Sequence, residues 1–426
     1  MKKIAIALLV NVCMLYGQNF NLTGAGARAE GFGGAFIGLA DDATAVVWNP
    51  AGLAQLERAE ASIVTRYMSE GAEYKYSFDP TMNEEESQGH FSLNFGSAAL
   101  PFSFDGIKFV FAAAYQRQLD FYYSKSERYE ITNGSTTYKV KNREEDRGGV
   151  NTVTPAIAVR FSPMVSFGLS ANIWMGDIDS KSRFEVENLG RNLNIFTLDY
   201  SGLNFVFGGL VDFEGMKNGF PLKLGLTMRT PFRLDADGTY ELDEEIADLL
   251  ASPGTATFTM RQQIEMPFML GVGASYRIGD NLTIAMDYEM RSYGNKKIKY
   301  EATYEPTGDV GTSEGDISES KSNFNELRVG AEYLIVLDNA VIPLRIGYKT
   351  VPTGYANYVF DSAVDSYLPT NEQVIGSSIS FGTGFIIDIL AFDITFSSVS
   401  YIQKYDTAGE IDFTTGTVSS SVIIYF

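Results

Sequence analysis

A persistent alternation of apolar and polar residues, from about residue 60 to the C-terminus, constrains this 426-residue chain more than any other feature. Block 222–229 reads LKLGLTMR, with leucine and methionine on one face and lysine, glycine, threonine and arginine on the other. A period of two residues is the signature of a β-strand. About fourteen such blocks occur, and an even number is expected for a closed bacterial barrel. The alternation therefore predicts an all-β chain folded as a closed antiparallel transmembrane β-barrel.

The connections between the blocks alternate between short and long, as they do in outer-membrane barrels. The short connections are predicted at 161–164, 279–281, 337–340 and 388–389. The long connections are predicted as polar loops at 69–89, 122–147, 177–200, 235–262, 294–323, 350–373 and 402–411. An even number of strands places both ends of the barrel on the same side.

A soluble barrel and a membrane barrel differ in which face of each strand points outward. The last strand ends on an aromatic residue, Phe426, which is the kind of C-terminus that the barrel-assembly machinery of the outer membrane recognises. We therefore predict that the apolar faces meet outer-membrane lipid and that the charged faces line the lumen. The predicted lumen charges are Arg66, Arg160, Lys223, Arg229, Arg277, Asp287, Glu289, Arg291, Glu326, Arg328, Glu332, Arg345, Lys349 and Asp393.

The N-terminus carries two lysines followed by the apolar run 4–14, a pattern typical of a secretory signal peptide. We predict cleavage after residue 17, and a lipoprotein processed at Cys13 is the alternative, although Val12 before it is not the small residue that such processing favours. Cys13 is the only cysteine, so residues 18–426 have no thiol. The chain then divides into a signal peptide (1–17), an N-terminal hatch or plug (18–58) and the barrel (59–426).

The plug is predicted because residues 24–52 are rich in glycine and alanine and cannot form a core of their own. A fourteen-strand barrel has a lumen too wide for its own side chains to fill. The glycine-rich segment is the part of the chain available to fill it.

Other functions find little support in the sequence. A net charge of -20 argues against a nucleic-acid partner. The lone His90 has no accompanying serine motif, so we predict no enzyme and no catalytic residue. Asp235 and Asp237 precede Gly238, but they lack the remaining ligands of a calcium loop. The plug glycines lack the third glycine of a dinucleotide fingerprint, and we predict neither a cofactor nor a metal.

The run 31–54, GFGGAFIGLADDATAVVWNPAGLA, resembles the N-terminal hatch of the FadL/TodX family of outer-membrane long-chain fatty acid and hydrocarbon transporters. In that family an Asn-Pro-Ala motif follows an Asp-rich turn. The matching hatch-motif residues here are Asp41, Asp42, Asn49, Pro50, Ala51 and Gly52. The resemblance implies a fourteen-strand barrel around the N-terminal segment, and passive uptake of a hydrophobic small molecule with hatch movement and lateral release into the bilayer.

Ligand-contacting residues of the family cannot be matched to this chain, so we choose candidate ligand contacts by residue type. Phe32, Phe36, Ile37 and Leu39 interrupt the small residues of the plug. They could form the floor of an apolar pocket, or they could instead anchor the plug against aromatic residues of the wall. Arg66, Arg160 or Lys223 could hold a carboxylate head group, although the use we expect of such a cation is a plug-to-wall ion pair with Asp41 or Asp42. The same hatch-like run, with Trp48 before the Asn-Pro pair, also resembles barrel subunits of type IX secretion. A protein-secretion subunit or an outer-membrane scaffold is therefore the alternative function.

Overall fold

The computed structural model describes residues 24–78, 81, 83–133, 135–217, 219–246 and 254–426. The predicted signal peptide (1–17) lies outside the described residues. Nineteen strands occur in the described part of the chain. They are β1 (Glu60–Tyr76), β2 (Glu84–Phe104), β3 (Ile107–Asp120), β4 (Tyr123–Asn133), β5 (Thr136–Arg160), β6 (Val165–Val186), β7 (Gly190–Asp212), β8 (Leu222–Arg229), β9 (Phe232–Glu244), β10 (Gly254–Met266), β11 (Met269–Ile278), β12 (Leu282–Arg291), β13 (Lys297–Tyr304), β14 (Asp309–Asp316), β15 (Phe324–Val336), β16 (Val341–Asp361), β17 (Ser366–Ile387), β18 (Leu390–Tyr405) and β19 (Gly409–Tyr425).

Fourteen of these strands close into one antiparallel barrel, which confirms the predicted fold. The barrel strands are β1, β2, β3, β5, β6, β7, β8, β11, β12, β15, β16, β17, β18 and β19. Closure comes from β1 and β19, which pair along their whole lengths, from Glu60 opposite Tyr425 to Tyr76 opposite Gly409. No edge strand remains where β1 meets β19. Closure of the sheet is how membrane barrels satisfy their backbone hydrogen bonds.

The strand faces are oriented as predicted. In β8, Leu224, Leu226 and Met228 are 40–42% exposed on the outside, whereas Gly225 and Thr227 between them are buried. Most of the predicted lumen charges lie inside, and Asp287, Glu326 and Arg345 among them are at most 5% exposed. Arg277 and Arg160 lie instead at the short-turn end of the barrel, where the exposed side chain of Arg277 pairs with Glu214. The outer surface is therefore an apolar belt of the kind that faces hydrocarbon.

The short turns lie where the sequence predicts them, at 161–164, 279–281, 337–340 and 388–389. A further short turn, Asp105-Gly106, joins β2 to β3 with φ of 49° and 76° at its two residues. Both positive φ values are those of a type I′ hairpin turn, for which Asp-Gly is a favoured sequence.

The prediction that the long connections are loops is wrong, because most of their residues continue the ladders. β5, β6 and β7 extend well past the apolar belt, and β4, β9, β10, β13 and β14 pair only in this outer region, in the order β4-β5-β6-β7-β9-β10-β13-β14. Above the hydrocarbon a strand can be polar on both faces, as in β4 and β14, so the sequence signal for a strand weakens there while its hydrogen bonds continue. A hydrophobic core that includes Trp174, Leu234 and Phe258 lies under this outer sheet.

The N-terminal residues 24–58, which we call the plug, lie within the barrel. They contain the helices α1 (Ala27–Gly31) and α2 (Ala45–Trp48) and the 3-10 helix Pro50–Gln55. A further 3-10 helix, Phe213–Gly215, follows β7. Among the described residues, no helix is long and apolar enough to cross a membrane. The plug carries its own buried cluster, which includes Phe32, Phe36 and Leu53 and continues into wall residues such as Val64 and Phe95.

The plugged lumen as candidate functional site

The plug rests on glycines of the barrel wall. Six inward-facing wall glycines approach it so closely that a Cβ on any of them would overlap the plug backbone; they are Gly168, Gly208, Gly225, Gly273, Gly330 and Gly347. They form three cross-strand pairs, 168 with 208, 225 with 273, and 330 with 347. A Cβ at Gly347, for example, would overlap the backbone nitrogen of Gly33. These glycine pairs, which we call the glycine seats, let plug backbone lie directly on wall backbone.

The turn at residues 36–38 of the plug is anchored by wall side chains. The buried carboxylate of Asp287 in β12 accepts hydrogen bonds from the backbone N–H groups of Phe36 and Ile37, at 2.6 and 2.7 Å. The hydroxyl of Ser275 in β11 donates to the Gly38 carbonyl at 3.0 Å. Wall side chains thus satisfy buried plug backbone that has no secondary-structure partner.

Asn49 of the predicted hatch motif links three segments. Its amide nitrogen donates to the carbonyls of Ile37, at 2.8 Å, and Gly209, at 3.2 Å. Its amide oxygen accepts from the Ala51 N–H at 3.1 Å and so caps the 3-10 helix that begins at Pro50. Proline suits this first position because no N–H is needed there. The Asn-Pro pair therefore turns the chain and pins it to the 36–38 turn and to β7.

We expect Asn49→Ala to speed amide exchange at Ala51 about fivefold, because losing a cap costs about 1 kcal/mol. Exchange followed by mass spectrometry on the purified barrel measures this. Asn49→Ser is the matched variant, since serine can cap but cannot reach both carbonyls. Equal exchange in wild type and the alanine variant would contradict the capping role.

The two aspartates of the hatch motif pair within the plug, not with a wall cation. The Arg28 guanidinium binds the Asp41 carboxylate and lies 3.6 Å from that of Asp42. Burial raises the pKa of Asp42. Burial acts the same way on Asp41, but the charge of Arg28 outweighs it and lowers the pKa of that carboxyl. The expected ion pair between these aspartates and Arg66, Arg160 or Lys223 is therefore wrong.

The three predicted cations have other partners. Arg66 binds Glu30 of the plug and so forms a plug-to-wall ion pair at a different position from the one expected. Lys223 donates to the Gln55 side chain, also in the plug. Arg160 lies at the short-turn rim, 3.9 Å from Glu57. Of the three, only Arg66 lines the lumen cavity described below.

Phe32, Phe36, Ile37 and Leu39, proposed from the sequence as ligand contacts, are at most 5% exposed, and none of the four lines that cavity. The Phe32 and Phe36 rings pack 6.3 Å apart, and Phe36 meets Trp48 edge-on at 6.3 Å. The structure therefore places these residues in the core between plug and wall.

Above the plug the lumen holds a cavity of about 410 Å³. Its floor is formed by plug residues that include Gly34, Val47 and Trp48. The Trp48 indole N–H donates to the Ala25 carbonyl at 2.8 Å, and the Arg328 guanidinium lies over the ring. Apolar side chains line its wall in part, among them Leu119, Phe121, Val206, Met269, Val351 and Val399.

A cluster of charged wall residues borders the cavity. Arg291 pairs with Glu289 at 2.5 Å and with Glu326 at 2.9 Å. Arg328 contacts the same two carboxylates, at 3.3 and 3.0 Å. Two further cations, Arg229 and Lys349, line the cavity beside them. We call these six side chains the lumen charge cluster.

One stretch of the wall lacks ladder hydrogen bonds on one side. β2 pairs with β1 from Glu84 to Ala99, but its pairing with β3 covers only Phe95–Phe104. β4 pairs only with β5 in the described part of the chain. The edge of residues 84–94 therefore faces 117–125 without a partner strand. We call this gap the wall seam, and cavity residues Gln118, Leu119 and Asp120 lie beside it.

Side chains bridge the wall seam. The Gln88 side-chain amide accepts from the Ser124 N–H at 3.1 Å and donates to the Tyr122 carbonyl at 3.5 Å, much as a strand's peptide group would. The His90 Nε2 lies 3.0 Å from an Asp120 oxygen, and its ring stacks on Tyr122 at 4.4 Å. His90, considered above for catalysis, thus belongs to the contacts that close the seam.

Asp235 and Asp237, considered from the sequence as calcium ligands, have structural partners. Asp237 accepts from Arg261 at 2.8 Å, and Asp235 lies 2.8 Å from Arg233, so both candidate calcium ligands contact arginines.

The glycine seats were not predicted from the sequence. A signal for them exists, because these glycines fall on the inward positions of strands whose outward positions are large and apolar.

The barrel resembles solved transporter structures. A FadL homologue from Pseudomonas aeruginosa superposes with a TM-score of 0.64 at 14% identity, over 95% of this chain and 99% of that chain. The toluene transporter TodX of P. putida gives 0.64 at 12% identity, over 95% and 99%. The toluene transporter TbuX of Ralstonia pickettii gives 0.60 at 13% identity, over 96% and 100%. At such identities the likeness confirms the fold that the FadL/TodX resemblance implies.

No curated protein matches the sequence. The BamG family model matches residues 26–311, which span the plug and the strands from β1 to the start of β14. This match covers more than half of the chain. The chain therefore belongs to the BamG family.

Proposed function

We propose that this protein lies in the bacterial outer membrane, after export by the signal peptide 1–17, and admits hydrophobic small molecules passively. In this proposal the ligand occupies the lumen cavity above the plug and leaves sideways through the wall seam into the lipid. The single observation that carries the proposal is that the cavity lies directly beside the wall seam, where the β2–β3 ladder stops at Phe95. Solved proteins of this fold include toluene transporters and a monoaromatic hydrocarbon channel, which supports the proposal.

The hatch movement in this proposal is small. Asp287, Asn49 and the glycine seats hold the lower face of the plug, so a lateral route does not require the plug to leave. Trp48 lines the cavity, and a shift of this side chain enlarges the chamber without breaking those anchors. No catalytic step is part of the proposal.

Closing the wall seam tests the proposal. We expect Gln88→Cys with Ser124→Cys, joined by a short bis-maleimide, to abolish uptake of a fluorescent alkyl probe into proteoliposomes, because the seam can no longer widen. Cys13 falls in the predicted signal peptide, so the introduced thiols are the only ones in residues 18–426. Thr132→Cys with Thr137→Cys is the control pair, since these residues face each other across an intact ladder at the tip of β4 and β5.

Two results would overturn parts of this proposal separately. Uptake that continues in the cross-linked seam variant contradicts the lateral route. Uptake by the wild-type barrel no faster than in protein-free liposomes contradicts the transport function itself.

A role beside the barrel-assembly machinery is the second candidate, and the BamG family match favours it. It also agrees with the scaffold alternative drawn from the sequence. A tagged chain isolated from its own membranes would then carry stoichiometric assembly subunits, and the uptake assay would be negative. Isolation of the barrel alone, with active uptake, would exclude this role.

A further inference from the structure

Among the described residues, two charged contacts of different kinds bridge the wall seam. At its outer end the Lys125 ammonium binds the Glu86 carboxylate across the gap. Beside the cavity, His90 Nε2 of β2 lies 3.0 Å from an Asp120 oxygen of β3. A lysine keeps its charge throughout the physiological pH range, whereas an imidazole gains and loses its proton between about pH 5 and 8. The contact beside the cavity is therefore the one whose charge depends on pH.

The surroundings of His90 fix its ring against the seam. The ring stacks on Tyr122 with the two planes 15° apart, and the Arg147 guanidinium lies 4.5 Å from the centre of the same tyrosine ring. The side chains of His90 and Asp120 are only 11% and 10% exposed. In a charged imidazolium both ring nitrogens donate, so a charge-assisted hydrogen bond crosses the seam, and the neutral ring keeps at most a weaker one.

Two more charged groups act on this contact. Arg117 of β3 lies 3.3 Å from Asp120, on the same side of the seam. Glu70 of β1 borders the cavity and interacts electrostatically with both His90 and Asp120. When His90 is neutral, Arg117 still binds Asp120 on its own strand, and Glu70 and Asp120 lose the cation that attracted both. Loss of one proton thus removes the charge attraction across this part of the seam.

The position of His90 links this proton to the width of the seam. The β2–β3 ladder stops at Phe95, which pairs with Gln116, and the unpaired edge of β2 begins there. Of the bridging side chains on β2, His90 lies nearest to that point, whereas Gln88 and Glu86 bridge farther out. A neutral His90 therefore loosens the seam beside the cavity while its outer end stays tied.

We propose that His90 and Asp120 form a pH-sensitive latch on the wall seam, closed when the imidazole carries its proton and loosened when it does not. This inference rests on the proposed function for its purpose, because the seam is the route by which ligands leave in that proposal. The width of the seam is nevertheless measurable without any transport.

Electron paramagnetic resonance of paired spin labels measures that width on the barrel in nanodiscs. Ser87→Cys with Ser126→Cys places the labels on exposed residues of β2 and β4, on opposite sides of the seam. Between about pH 5.5 and 8.5 we expect the wider of two distance populations to grow about tenfold, because the charge-assisted hydrogen bond is lost. Thr132→Cys with Thr137→Cys, across the intact β4–β5 ladder, should give the same distance at both pH values.

Three variants of the labelled barrel identify the titrating group. His90→Gln removes the only imidazole of the chain but keeps a donor for Asp120, so the distances should no longer change with pH. Asp120→Asn should abolish the response as well, because no carboxylate then attracts the imidazolium across the gap. Glu70→Gln should retain a response, since both members of the latch are intact. Heat-modifiable gel migration shows that each variant forms a folded barrel.

The other outcomes overturn the latch. Wild-type distances that do not change with pH contradict it, and so does a seam that is wider at the lower pH. A response that survives His90→Gln contradicts it too, and its loss in Glu70→Gln would then assign the titration to that carboxylate. If the seam responds as expected but the wild-type barrel shows no uptake at either pH, the transport proposal fails and the latch remains.

Discussion

Gly168→Val with Gly208→Val is expected to open a stable ion-conducting pore in planar bilayers, where the wild-type barrel stays closed. The two glycines face each other on β6 and β7 and support the 3-10 helix Pro50–Gln55. A Cβ at Gly168 would overlap the Pro50 carbonyl carbon, and one at Gly208 would lie 2.7 Å from the Ala51 nitrogen. Overpacking usually costs about 1–3 kcal/mol per site, and backbone atoms cannot rotate away as a side chain can. The valines therefore displace this part of the plug.

Gly209→Val is the matched control for this experiment. Gly209 is the next residue of β7 after Gly208, and a Cβ there would meet no atom within 4 Å. Valine also suits a strand position that faces lipid. The control barrel should remain closed. A closed pore in the double valine variant, with a correctly folded barrel, would show that the glycine seats do not hold the plug.

The barrel itself could be predicted from the sequence, because every second residue of a spanning strand faces lipid and must be apolar. That requirement produces the alternation in blocks such as 222–229, and it marked the short turns at 279–281 and 388–389 to the residue. Outside the hydrocarbon the requirement ends. Strands such as β4 and β14 carry polar residues on both faces, so their hydrogen-bonded ladders could not be told from loops.

The candidate site could be predicted only in outline. Small residues and the Asn-Pro pair indicated a plug, and the inward charges of β12 and β15 indicated a charged lumen. Which charged side chains pair with each other could not be predicted, because it depends on three-dimensional distances that the sequence does not give. Arg28 is 13 residues from Asp41 and binds it, whereas Arg66 binds Glu30. The apolar plug residues, moreover, face the wall and not the cavity, which no residue pattern within the plug reveals.

Asp287→Ala is expected to release the 36–38 turn of the plug. The carboxylate is 1% exposed and accepts two backbone hydrogen bonds, from Phe36 and Ile37. Each hydrogen bond to a charged group contributes about 1.5–3 kcal/mol, and alanine leaves both N–H groups buried without a partner. Hydrogen exchange at these two amides should therefore rise roughly tenfold to a hundredfold.

The conservative variant separates the hydrogen bonds from the charge. Asp287→Asn keeps an oxygen that can accept from the plug backbone, so exchange should rise less than in the alanine variant. Met286→Ala is the control, because Met286 is the neighbouring outward residue and is 51% exposed. Unchanged exchange at Phe36 and Ile37 in the alanine variant would show that the glycine seats and Ser275 hold the turn without the carboxylate.

The same variant distinguishes two ways in which the plug could serve transport. If ligands leave through the wall seam, a looser 36–38 turn should raise ion conductance but leave the uptake of alkyl probes close to that of wild type, because the seam lies at β2 and β3 and not at β12. If ligands instead pass along the plug, Asp287→Ala should raise conductance and uptake together. Measuring both quantities on one preparation, with Met286→Ala beside it, decides whether the plug is a fixed floor or the gate.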